Sequence, residues 1–132
     1  MENVSNLDKS ESIKSLQSTI RKLENALSQM TQKGANTTLV KKRFKAVCIG
    51  LAALENAWNQ QSHQYSQEEL IEARNVLVGL LPSMERAYDK SKVGSPQRTL
   101  LTRRIKALEL SVQAMINFPN KKKELQRRRK WG

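Results

Sequence analysis

Turn residues and sheet formers are scarce in this sequence. Its 132 residues include five glycines and three prolines, and only 5% are aromatic. Sheet proteins draw on more turn punctuation and on more aromatic and β-branched residues. That scarcity argues against an all-β chain, and the abundant Leu, Ala, Lys, Gln, Glu and Arg give a helical composition instead. The length fits one domain that buries a core without staples.

Other absences narrow the setting. Cys48 is the single cysteine, so no intramolecular disulfide forms and the usual mark of an oxidising compartment is missing. A run of about 18 apolar residues, the length that spans a membrane, does not occur. The first residues, Met1 to Asn6, are polar and carry no apolar secretion core. Asn3-Val4-Ser5 and Asn36-Thr37-Thr38 match the glycosylation pattern, but without a secretion signal both read as chance matches. A cytoplasmic location is expected.

The residues of enzyme chemistry are equally sparse. His63 is the only histidine and sits in a polar linker, where it reads as a solvated loop residue. One histidine and one distant cysteine do not fill a zinc site. Cys48 lies on an apolar helical band, the setting of a buried, inert thiol. The Glu-rich stretch 68–72 lacks the paired Glu-x-x-His motifs of a carboxylate-bridged metal bundle. There is no Gly-rich phosphate loop and no G-x-S-x-G elbow. The reading is a non-enzyme with no catalytic residue, no metal and no cofactor.

What the chain does have is helical period. Ile13, Leu16, Ile20, Leu23, Leu27 and Met30 keep to one helical face, with Asp8 and Glu11 as a candidate capping box and Gly34 as the stop. A second helix opens at Thr37 or Thr38 with the stripe Val40, Phe44, Val47, Leu51, Leu54 and Trp58, widened by Cys48, Ala52 and Ala57. Ser66 and Glu69 form another capping box before Leu70, Ala73, Leu77, Leu80, Met84 and Ala87. Pro82 interrupts that third stripe and predicts a kink or break near residues 78–82. Ser95-Pro96 starts a fourth helix through Leu101, Ile105, Leu108, Val112 and Met115, which Pro119 is expected to close.

The expected fold is all-α, an antiparallel up-down four-helix bundle with a kinked third helix. Residues 1–9 form a polar leader, 10–118 the bundle and 119–132 a basic tail. A three-helix core with a detached first helix, or a helix-swapped dimer, carries the same stripes.

The net charge of +12 is the one feature that points beyond the fold. It favours polyanion partners such as nucleic acid or anionic lipid. Residues 119–132 alone carry seven basic side chains and one acidic. On an up-down bundle Lys41, Lys42, Arg43, Lys45, Arg98, Arg103 and Arg104 gather at a basic pole. Asp8, Glu11, Glu69 and Glu72 gather at the opposite, acidic pole. Lys41, Lys42, Arg43 and Arg98 stand against the positive end of a helix dipole, where each costs roughly 0.3–1 kcal/mol, so they are candidate anion ligands. The tail adds Lys121, Lys122, Lys123, Arg127, Arg128, Arg129, Lys130 and Trp131, a basic run whose terminal aromatic suits stacking on bases or an anionic surface.

Contact with a nucleic-acid backbone, without sequence readout, is the leading expectation. A protein-interaction module, a small regulator or chaperone-like adaptor, is the alternative. Peripheral contact with anionic lipid is a third role, and no compact helix-turn-helix unit supports specific DNA readout.

Overall fold

The computed structural model describes residues 4–131, with side chains described over 4–116. It is all-helical: α1 (Asn6–Gln32), α2 (Thr38–Asn59), α3 (Gln67–Lys90) and α4 (Pro96–Trp131), with no strand among the described residues.

Local chemistry explains the helix ends. α1 starts before the expected Asp8, because Ser5 is its cap and accepts the Asp8 N–H at 3.0 Å. Gly34 ends it with φ +71, and the Ala35 N–H donates back to the Met30 carbonyl at 2.9 Å. α3 opens on the complete capping box: the Glu69 N–H donates to Ser66 Oγ and the Ser66 N–H to Glu69 Oε1, both at 3.1 Å. Ser95 caps α4 through the Arg98 N–H at 3.2 Å.

Neither proline stops its helix. α3 is unbroken from Gln67 to Lys90 through Pro82, and the expected break at 78–82 does not occur. Pro82 is exposed, and so are Val78 and Gly79 one turn earlier. The carbonyl that loses its partner therefore lies on the solvent side, where water satisfies it. The backbone of α4 likewise continues past Pro119, which was expected to close it, to Trp131.

Side-chain contacts show which parts of the helices meet. Lys9 lies over the Trp58 ring at 5.9 Å, so α1 and α2 form an antiparallel hairpin. Arg98 stacks on Tyr88 at 4.2 Å across the short turn from α3 to α4, a second hairpin. Between the hairpins, however, Lys45 pairs with Glu69 while Gly50 faces Leu77. These contacts set the first turns of α3 beside the middle of α2.

Chain length makes this arrangement reachable. From Asn59 back to Lys45 is about 21 Å of helix. Fully extended, the connection 60–66 could span roughly 23 Å. It runs back along α2 as a strap, and half-buried Tyr65 on it packs against the core.

The core forms where three helices cross. α2 and α4 each pack against all the other helices, whereas α1 and α3 do not pack on each other. At the crossing, a Cβ on Gly50 would lie 3.2 Å from Leu77 Cδ1 and 3.2 Å from Ser111 Cβ, so glycine is what lets α2 approach this closely. Ser111 is fully buried and donates its hydroxyl to the Ala107 carbonyl at 2.9 Å, which removes the penalty of its polar group. Leu54, Leu77, Leu108 and Met115 surround this point. α1 is bound more lightly: only Ser12 and Leu16 are buried on it, and Leu23, Leu27 and Met30 are half-buried.

Candidate anion-binding site

The strap undoes the separation of basic and acidic poles. By placing the start of α3 beside the first half of α2, it sets Lys45 of the expected basic pole 3.0 Å from Glu69 of the acidic one. Arg103 meets Glu11 at 3.8 Å and Lys106 meets Asp8 at 2.9 Å across α1 and α4. The hydrogen bond from Lys106 holds the Asp8 carboxyl below its ordinary range, partly opposed by burial. The hydrogen bond from Lys45 does the same for Glu69, and Glu69 in turn raises the Lys45 ammonium. Cation and anion are interleaved, not polarised.

Arg98 also has a structural explanation. Its guanidinium stacks on Tyr88, and Nη1 donates to the Ser91 carbonyl at 3.4 Å, at the negative end of α3. What it loses at the start of α4 it regains at the end of its neighbour.

Lys41, Lys42 and Arg43 find no such relief. No ion pair engages them among the described residues, and the first turn of α2 contains no acid. Thr37 makes no side-chain cap; instead Asn36 Oδ1 accepts the Thr38 N–H at 3.0 Å. Lys41 and Lys42 are exposed and Arg43 is half-buried. Lys42 also borders a small cleft of about 60 Å³ that contains the Lys45–Glu69 pair and Glu72.

Arg104 marks a different place. It borders a cleft of about 170 Å³ between α1 and α4, together with Lys14, Ser15 and Arg103. Arg104 Nε and Nη2 are buried without a hydrogen-bond partner, and so is Ser15 Oγ. Glu11 is the acid of this cleft, and Arg103 engages it. Lys41, Lys42 and Arg43 do not border this cleft. The cleft and the start of α2 are two sites, not one patch. Lys121, Lys122, Lys123, Arg127, Arg128, Arg129, Lys130 and Trp131 have side chains outside the described residues.

The remaining reactive groups are quiet. Cys48 is half-buried, and burial pushes its thiol up, assisted by the charge of Glu24, so little thiolate forms near neutral pH. His63 is half-buried rather than solvated, and its Nδ1 accepts the Tyr65 N–H at 3.2 Å. No cluster of three metal-ligating side chains occurs among the described residues, and no described helix is long and apolar enough to cross a membrane.

Sequence reasoning named Arg103 and Arg104 but not Ser15 or Lys14. Ser15 stands beside Leu16 of the apolar stripe, and the stripe alone does not show that α4 covers that shoulder of the helix. No protein-family model, curated protein or solved structure matches this chain.

Proposed function

We propose that this protein is a non-enzymatic, cytoplasmic helical binding protein that grips the phosphate backbone of a nucleic acid without reading its sequence. The observation that carries the reading is the state of Lys41, Lys42 and Arg43. Lys45, Arg103 and Lys106 pair with acids of neighbouring helices, while among the described residues these three stand unpaired at a helix end that is already positive. Such an arrangement costs stability and supports phosphate contact. The net charge of +12 acts in the same direction by concentrating polyanions near the surface. The basic run from Lys121 to Lys130 extends the same chemistry.

Salt titration tests it. Each neutralised phosphate contributes about 0.9 to the slope of log affinity against log salt for duplex, and about 0.7 for single strands. Replacing Lys41, Lys42 and Arg43 together with glutamine should flatten the slope by about 2 to 3. Affinity for mixed-sequence DNA and RNA that does not change between low and physiological salt would overturn the proposal.

A second reading, a protein-interaction module, has one observation in its favour. Ile71 and Val78 are 43% and 46% exposed, and their spacing of seven places them on one outer face of α3. A reproducible protein partner lost on replacing both with serine, with no salt-dependent nucleic-acid binding, would favour it.

A further inference from the structure

We propose that α1 is a self-inhibiting cover, which lifts off α4 about the turn at residues 33–37 and uncovers Arg103, Arg104 and Lys106 as a second surface for a polyanion backbone. The ligand rests on the backbone-binding reading above. The opening rests on the contact between α1 and α4 alone.

Three features make that contact weak. First, little of α1 is buried: its 27 residues bury only Ser12 and Leu16, whereas the 22 residues of α2 bury six. Next, the two ion pairs across the contact, Asp8–Lys106 and Glu11–Arg103, are between 34% and 52% exposed at their side chains. Water and salt compete for pairs of that kind. Last, closure strands polar atoms. Arg104 Nε and Nη2 and Ser15 Oγ are sealed from solvent with no partner, and a cationic donor buried in that state is costly. Lys14 and Arg103 border the same cleft as Arg104, so three cations close around one acid, Glu11. Lifting α1 gives the stranded atoms water and moves Lys14 away from the two arginines.

The acids of α1 stand where phosphates would. Asp8 holds Lys106 and Glu11 holds Arg103 in the closed form. A phosphate backbone that displaces them also gains the guanidinium fork of Arg104, which α1 leaves unused. Because the polyanion reaches all three cations only in the open form, its affinity is reduced by the fraction of molecules that are open. Gly34, with φ +71 and no atom within 4 Å of a Cβ placed on it, leaves the turn room to pivot.

Amide exchange on the full chain reads the opening directly. Residues 12–30 of α1 should exchange about tenfold or more faster than residues 47–54 of α2 and 107–115 of α4. Asp8→Asn with Glu11→Gln should speed exchange in α1 further and raise affinity for a mixed-sequence duplex about fivefold. Glu68→Gln with Glu85→Gln removes the same two charges from α3, which does not pack on α1, and should raise affinity by clearly less. Arg104→Met keeps the length of the side chain but removes the stranded donors, so it should favour the closed form, with a higher melting midpoint and slower exchange in α1. Protection in α1 equal to that in α2, the same gain in affinity from both double variants, or a lower midpoint in Arg104→Met overturns the proposal. Affinity that does not respond to salt overturns the backbone-binding reading instead, and exchange and melting then decide the opening of α1 by themselves.

Discussion

α4 meets its neighbours in two ways. Against α2 and α3 it packs through Gly50, Leu77 and Ser111, where a methyl group on the glycine would approach to 3.2 Å. Against α1 it presents charges, with Asp8–Lys106 and Glu11–Arg103 near a cleft that Ser15 and Arg104 border. The first contact holds the fold together, since close packing leaves no slack for a changed volume. The second gains little stability from exposed ion pairs. Stability and binding are thus expected to respond to different substitutions.

The comparison breaks most visibly at the seam. Leu77→Ala removes a fully buried side chain and should cost about 3–4 kcal/mol in urea unfolding. Gly50→Val, which adds volume against Leu77 and Ser111, should cost about 2 kcal/mol. Ser66→Ala removes one half of the α3 capping box and should cost about 1 kcal/mol, an effect local to that helix. While folded, all three variants should keep the wild-type salt dependence of nucleic-acid binding. A seam variant that is fully folded yet loses that salt dependence would join fold and binding into one.

The exposed ion pairs between helices should give the smallest effect, and a pH-dependent one. Asp8 and Glu69 titrate below their ordinary values of 3.8 and 4.5 because Lys106 and Lys45 favour the carboxylates. Their contribution is therefore present above those values and disappears as pH falls through the lowered ones. Lys45 titrates above its ordinary 10.5, so its share is present below that value and disappears as pH rises through the raised one. Melting between pH 2 and 6 should show the acid loss, reduced in Asp8→Asn with Glu69→Gln. An unchanged acid limb in that variant would show that these pairs contribute nothing.

Much of this was legible before the structure. The 3-4 spacing located four helices, Gly34 and the Ser66–Glu69 box marked real ends, and Ser95-Pro96 opened α4. The stripes did not show direction. A polar run after Trp58 reads as an ordinary loop, and only its reach relative to the length of α2 shows that it carries α3 back to Lys45. The two poles of the charge map do not stay apart, because Lys45 and Arg103 pair with Glu69 and Glu11 of the acidic one. Gly50 and Ser111, neither of them apolar stripe residues, were invisible as the crossing point. Arg104 was named for its charge, but burial of one edge of its guanidinium is a tertiary fact.

The strap has a consequence for how the two halves of the chain are joined. It is the only covalent link between the α1–α2 and α3–α4 hairpins, so the molecule behaves as a heterodimer whose subunits are held at high effective concentration by a short tether. Lys45–Glu69, Glu11–Arg103 and Asp8–Lys106 each take one partner from either hairpin. So do Ser15 and Arg104, which border one cleft. Ionic strength therefore becomes a control on the association of the halves as well as on what they bind.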